Sequence, residues 1–369
     1  MKKVKVCHVT SVHQPKDGRI FAKECVSLAK SGYDVYLVEQ GNDDVCQNVT
    51  IMGCGERPKS RFKRMTSFSR KVVEKALDVD ADIYHLHDPE LLPYAIKIKS
   101  KGKKVIFDSH ENYPLQIRTK EYLPKPLRFL VSWLYTKFET FILNKIDAAI
   151  IPCSLNGKNI FFNRVKCSEY IDNYPLFSEF YDKYDEKVQK EGYVCYVGAL
   201  TYERGIYHLV KAASLAGVSL VLAGKYSPEQ FENIIRSLSE YSNVDYRGII
   251  TRNEVAKIDG RAVAGMCTLL DYGQYHKADN FSTKILEYMA MGLPVILFDY
   301  PYARKIMQEY KFGICVKPDD INEIARAIKF IISHPEEAYK MGQEGRRAVK
   351  EKFNWDTQEK KLLALYNKI

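Results

Sequence analysis

Short runs rich in Val, Ile, Leu and Tyr alternate with helix-patterned segments along nearly the whole chain. This alternation limits the fold more than any other feature, because it is the pattern of βαβ units wound around parallel sheets. In the first half, strands are predicted at residues 4–9, 34–38, 83–86, 105–108 and 148–151, with helices at 18–31, 61–77, 89–99 and 127–145. The alternation stops after Asn173-Tyr174-Pro175 and resumes with strands at 193–197, 219–223, 244–246, 266–270, 294–298 and 313–316. The reading is an α/β chain of two Rossmann-like, doubly wound domains, residues 1–175 and 192–353, joined by an aperiodic linker at 176–191. Residues 322–369 carry more helical pattern than one helix can hold, and the last helix, about 354–369, is placed back on the first domain. Sheets of this kind bind ligands at their strand carboxyl ends, so the expected site is a central cleft faced by both domains.

A chain of 369 residues with 46% hydrophobic and 28% charged residues can bury two cores and is not a disordered sequence. Its apolar stretches, such as 127–135, are too short and too interrupted to span a bilayer. The start, MKKVKVCHVT, lacks the continuous apolar block of a secretion signal. Nine cysteines without a CxxC pair indicate neither a disulfide framework nor a zinc site, so a cytoplasmic setting is expected. The net charge of +10 is uneven: residues 1–175 hold 29 Lys+Arg against 20 Asp+Glu, residues 176–369 hold 27 against 26. The first domain therefore carries a positive field suited to an anionic partner.

Two segments of the second half carry binding chemistry. In DNFSTKILEYMAMGLP, Asp279, Asn280 and Ser282 are cap candidates before a helix that stops at Gly292. A helix start with Lys284 in its first turns favours an anion such as a diphosphate. Glu287 follows Asp279 by eight residues, about 80° off a common helix face, so Asp279 belongs to the loop and Glu287 to the helix. The plain alternative is a loop cap and a solvated helix residue. In YVCYVGALTYERGIYHLVKA, a strand, Gly198, a polar loop and Arg204-Gly205 at a helix start make a second diphosphate grip, since a guanidinium contacts two oxygens at once. In the first half, His110 with Glu111, His87 with Asp88, and His13 with Gly18 and Arg19 all follow predicted strands. Asp78-Val79-Asp80 reads as a solvated helix end. No GxGxxG follows the first strand, no GxxxxGK[ST] is present, and no His/Asp/Glu group has metal-ligand spacing. These absences disfavour a dinucleotide dehydrogenase, an NTPase and a bound metal.

The segments YVGALTYERGIYHLVKA and NFSTKILEYMAMGLPVI resemble the donor site of family 4 glycosyltransferases of the GT-B fold, and HVTSVHQPKDGRIFAKECVSLAKSGYDVYLV, ADIYHLHDPELLP, VIFDSHENYP and the terminal FNW extend the likeness over most of the chain. The resemblance implies a retaining transfer of a sugar from a nucleotide-diphosphate sugar, UDP favoured over GDP, to a glycan or polyprenyl-diphosphate-linked acceptor in bacterial surface polysaccharide assembly. It implies that Arg204 and Lys284 neutralise the diphosphate and Glu287 holds the ribose. Asp279, with the backbone of Asn280, Phe281, Ser282 and Thr283, would face sugar and phosphate, and His110 the reacting centre. The chain departs from the family pattern at Ala199, where many members have arginine, and at Asp279, where they have glutamate. No cofactor and no metal are expected, because cationic side chains already offset the phosphates. A nucleotide-sugar epimerase and a catalytically inert partner subunit are the alternatives; Ala199 favours the second.

Residues 57–75, RPKSRFKRMTSFSRKVVEK, hold eight basic residues and one acid, with Phe62, Met65 and Phe68 spaced by three. Arg57, Lys59, Arg61, Lys63, Arg64, Arg70 and Lys71 are read as contacts to an anionic membrane surface, in preference to a plain solvated helix and to nucleic acid, which places the protein on the inner face of the cell membrane. The aromatic stripe at 127–146, where Trp133, Tyr135, Phe138 and Phe141 accompany Arg128 and Lys137, is a second candidate for such a contact, but aromatics at helical spacing more often mark core, and core is the preferred reading.

Overall fold

A computed structural model of the chain describes residues 3–120 and 124–369. The chain divides into two compact units: residues 1–173 with 356–369, and residues 174–355. The first holds an eight-stranded sheet in the order Asp44–Cys46, Val49–Gly53, Asp34–Glu39, Lys5–Val9, Ile83–Leu86, Lys104–Asp108, Ala148–Ile151, Ser168–Tyr170. All neighbours are parallel except the first pair. That hairpin and the Ser168–Tyr170 strand were not anticipated; Gln47 and Asn48, both at positive φ, form a tight turn that runs too short to show a period. The helices Ser69–Asp78, Leu92–Ser100 and Lys125–Leu143 bury Val72, Ala95 and Ile142 in one core with Val105 and Phe107 and so cover the same face of this sheet.

The second unit is a six-stranded parallel sheet in the order Val244–Tyr246, Leu220–Ala223, Val194–Val197, Ala264–Cys267, Val295–Phe298, Gly313–Val316. Chain order reverses direction between Val194–Val197 and Ala264–Cys267, and in the first unit between Lys5–Val9 and Ile83–Leu86. Loops leaving neighbouring strands diverge at such a reversal and open a crevice at the strand carboxyl ends. The strand expected at 266–270 ends at Cys267, which leaves Thr268 to Ser282 free to form a long loop at that crevice.

The segment expected as a linker is instead part of the second unit. Phe180 is fully buried in its core, and the rings of Tyr181 and Tyr184 lie 3.9 and 4.1 Å from the Arg346 guanidinium. Individual aromatic anchors hold it, which gives no periodic signal. The final helix, Trp355–Lys368, returns to the first unit, where Gln358 accepts from the Asp172 amide at 3.0 Å and the Tyr366 hydroxyl pairs with His85 at 2.9 Å.

Gly265 in Ala264–Cys267 lies under the Tyr288 ring; a Cβ there would sit 2.3 Å from it. Gly265→Ala should cost about 1–3 kcal/mol of stability by overpacking, read as a lower denaturation midpoint.

Candidate functional site

In the second unit the crevice lies between Val194–Val197 and Ala264–Cys267 and gathers two helix starts. After Val197, Gly198 and a polar loop lead to Arg204 and the helix Ile206–Ala216; after Cys267, the long loop leads to Thr283–Ala290. Gly205 caps the first helix at φ +76°, and a Cβ there would meet the Thr268 carbonyl oxygen at 2.1 Å, so only glycine lets the helix start this close to the neighbouring strand. Neither helix start is closed by a side-chain cap, leaving amide N–H groups directed at the crevice.

Lys284 is 7% exposed, and its Nζ rests 4.7 Å from the centre of the Tyr196 ring. Gly198 makes room for it: a Cβ there would lie 2.8 Å from Nζ. Arg204 is half-buried, 5.9 Å from the Tyr275 ring. Burial would lower its pKa, but neighbouring Tyr196 and Tyr275 outweigh it and the guanidinium stays charged. Among the described residues neither cation has a carboxylate within ion-pair distance. Burying unpaired charge is expensive, so the crevice is built for an anion with several oxygens. Glu287, one turn inside the helix, is paired through Oε1 with Arg252 at 2.9 Å. Asp279 and Asn280 form the half-buried bend before the helix, and the Asn280 carbonyl accepts from the Tyr300 hydroxyl at 2.8 Å.

The crevice of the first unit is polar in a different way. Five of the eight histidines, His8, His13, His85, His87 and His110, gather there around three carboxylates and one guanidinium. Asp108 is fully buried; Arg19 binds it through Nε and Nη2, both at 3.0 Å, and His87 and His110 lie at 3.4 and 3.2 Å. Burial alone would raise the Asp108 carboxyl, but Arg19 and the two imidazoles hold it well below the usual range. Glu24 is also fully buried, 3.1 Å from Arg19, and burial with the nearby Asp108 charge pushes it well above the usual range. His8 and His87 share a hydrogen bond of 2.9 Å. Burial lowers His8 and His85 well below the ordinary imidazole range and His87 to about 4. Asp88 holds the loop after Val9 by accepting from the Ser11 amide at 2.6 Å and the Thr10 hydroxyl at 2.9 Å. His13 and His110, with rings 4.6 Å apart and side chains 22% and 17% exposed, are the imidazoles of this group that reach solvent. A separate cavity of about 300 Å³, which neither histidine lines, opens among Glu111, Tyr113, Arg118 and Arg164.

The profile described as "Glycosyl transferases group 1" matches residues 178–348, and that for "Glycosyltransferase Family 4" matches residues 19–158. The chain belongs to the family 4 glycosyltransferases. Its GT-B fold is shared with sucrose-phosphate synthase from Thermosynechococcus elongatus, TM-score 0.76 at 16% identity over 99% of both chains. It is shared too with Anabaena HepE, solved in complex with UDP and glucose, TM-score 0.70 at 13% identity over 99% of this chain and 100% of that one. An uncharacterised glycosyltransferase of Methanocaldococcus jannaschii is 24% identical over 192 residues, 51% of this chain and 47% of its own. The chain thus spans about half the length of the curated relatives it matches.

Seen as a family 4 fold, the chain distributes the residues singled out in its sequence unevenly. Gly198, Arg204, Lys284, Ser282 and Thr283 meet at one crevice. The Phe281 side chain does not: it is 4% exposed and packs edge-on against Tyr300, Phe312 and Phe353, so only its backbone faces the bend. Arg19 and His87 are internal members of the buried network, each satisfied by partners, and not ligand-facing groups. Gly18 has an ordinary backbone conformation with open space where a Cβ would stand, so no close approach requires it. Glu111 is exposed and accepts from Gln116. The reading that no His/Asp/Glu group has metal spacing also changes. His8, Glu24, His85 and His87 converge within 4.8 Å, as do His87, Asp108 and His110, because three strands and a helix meet there; Arg19 sits against both carboxylates. Of the basic stretch, Arg57 donates to the Val12 carbonyl, Arg64 pairs with Glu90 at 3.1 Å and Lys71 donates to the Cys54 carbonyl at 2.9 Å, so these three serve the fold first. Lys59, Arg61, Lys63 and Arg70 are exposed, Arg70 paired with Glu74. Tyr196, Arg252, Glu24 and Asp108 were missed; three of them stand inside segments already singled out, but only tertiary contact gives any of the four a role.

The buried imidazoles make stability pH-dependent. His87 falls from about 6.5 unfolded to about 4 folded, so its contribution, on the order of 3 kcal/mol, is complete above pH 6.5 and lost as pH falls through 4. His8 and His85 act in the same direction. His13, raised because Asp88 outweighs its burial, acts oppositely, and so do carboxyls that burial raises, Glu24, Glu139 and Asp259, with Glu39 at about 7. The His87 share is isolated by comparison: between pH 6.5 and 4 a His87→Gln variant should lose less of its thermal midpoint than the wild type, and equal losses contradict a neutral buried His87.

Proposed function

We propose that the chain transfers a sugar from a nucleotide-diphosphate donor, a UDP-sugar in preference to a GDP-sugar, to a glycan or lipid-linked acceptor, with retention of anomeric configuration. The observation that carries this is the pair of cations, Arg204 and Lys284, set at two uncapped helix starts with no ion-paired carboxylate among the described residues. Family membership supports the reaction class, and HepE, which binds UDP and glucose on the same fold, supports the donor class.

In this reading the diphosphate lies between Arg204, Lys284 and the amides at Ser282 and Thr283. Glu287, steered by Arg252, accepts from the ribose, and Asp279 from the sugar. As the glycosidic bond breaks, negative charge grows on the leaving diphosphate, and groups already aimed at it stabilise that charge without reorganising. The donor phosphate assists the acceptor hydroxyl on the face it leaves. His110, oriented by Asp108, holds hydrogen bonds near the reacting centre. Since side-chain cations offset the phosphates, no metal is needed. The setting is bacterial surface polysaccharide assembly on the inner face of the membrane, with Lys59, Arg61, Lys63 and Arg70 drawing the first unit to anionic lipid.

Nucleotide release from a panel of UDP-, GDP- and dTDP-sugars, with and without glycan acceptors, tests this. Transfer predicts an acceptor-dependent rise; isomerised sugar would indicate an epimerase, and silence an inert subunit. Arg204→Ala and Lys284→Ala should each lower turnover about 100-fold or more with the unfolding midpoint retained. Normal turnover in both would place the donor elsewhere.

A further inference from the structure

The helix Lys125–Leu143 turns its apolar side outward. At 100° per residue, Phe129, Leu130, Trp133, Leu134, Phe138 and Phe141 share one half of its circumference, and they are 60, 52, 54, 51, 37 and 57% exposed. The opposite half, with Ser132, Glu139, Ile142 and Leu143, is buried against the sheet. The stripe read as core in the sequence is therefore not core. A surface helix normally shows the reverse pattern, and a contiguous apolar face of this size marks a contact surface.

The charges around the face select its partner. The one acid of the helix, Glu139, is buried and bound to Arg164 at 2.6 Å. Lys137 rises from within the outward half, its Nζ 5.9 Å from the Trp133 ring, and two cations flank that half, Lys145 Nζ 4.6 Å from Phe141 and the Arg118 guanidinium 5.5 Å from Phe129. The basic helix that begins at Arg61 covers the same face of the sheet and exposes Phe62 and Met65 at 76 and 44%. An aromatic and aliphatic face edged by cations matches an interfacial helix lying in the headgroup–acyl boundary of an anionic bilayer. A second copy of the chain would bring two cationic rims together, whereas anionic lipid neutralises them.

We infer that Lys125–Leu143 is a membrane-embedding helix, its Phe, Leu and Trp side chains inserted among acyl chains while Arg118, Lys137 and Lys145 meet lipid phosphates. The inference stands on the helix itself and holds whatever reaction the chain catalyses.

The chain reports on this directly, since it has two tryptophans and the other, Trp355, is 2% exposed. With phosphatidylcholine vesicles containing phosphatidylglycerol, Trp133 emission should shift to the blue, acrylamide quenching should fall several-fold, and brominated lipid should quench it. Phosphatidylcholine alone should do this weakly. Trp133→Phe should abolish the spectral change while sedimentation with vesicles persists, and the pair Phe129→Ser, Leu134→Ser should reduce sedimentation at least tenfold with circular dichroism unchanged. Three results overturn the inference: no sedimentation of the wild type, sedimentation with Trp133 still open to acrylamide, or a blue shift without vesicles that grows with protein concentration, which would assign the face to a second copy.

Discussion

Lys284 is buried against the face of Tyr196, and no carboxylate among the described residues lies within ion-pair distance of it. Much of the second unit follows from keeping it there. Gly198 must lack a side chain, or Nζ is displaced; Gly205 must take a left-handed conformation so that the Ile206–Ala216 helix can start against Thr268 and hold Arg204 at the same crevice. The reversal of strand order supplies the crevice itself. A fold that buries positive charge without a partner sacrifices stability unless an anion arrives, and that imbalance is what distinguishes a binding site from a merely basic surface.

The first unit treats charge in the opposite manner. Arg19, Asp108, Glu24 and the buried imidazoles satisfy one another, and what reaches solvent is His13 and His110. Asp108 takes the charge of Arg19 and fixes two histidines; Asp88 does the same for His13 and its loop. Such a network orients a few exposed polar groups and does not offer a net charge, which suits a site for neutral hydroxyls.

The sequence exposed the two parallel sheets because buried strands and amphipathic helices leave periodic marks, and the donor segments because cap residues, glycines and cations recur at fixed spacing. It did not expose what depends on contact alone. Nothing in the spelling around Glu24 separates a buried carboxylate from a solvated one, and Phe281 reads as a loop residue until four aromatic rings surround it. The segment at 176–191 lacks a period because Phe180, Tyr181 and Tyr184 anchor it one by one. The stripe at 127–146 misled in the other sense: helical spacing of aromatics identifies a face, and only the packing tells whether that face looks inward.

If Arg204 and Lys284 form a donor site, phosphate charge is what the second unit recognises. Calorimetric titration with UDP, UMP and uridine under one buffer and salt condition tests it most directly. Affinity should step down from UDP to UMP to uridine, and Lys284→Met should erase most of the difference between the first two. If uridine binds as tightly as UDP, the cations at the crevice serve some other purpose and the assignment of the donor site is wrong.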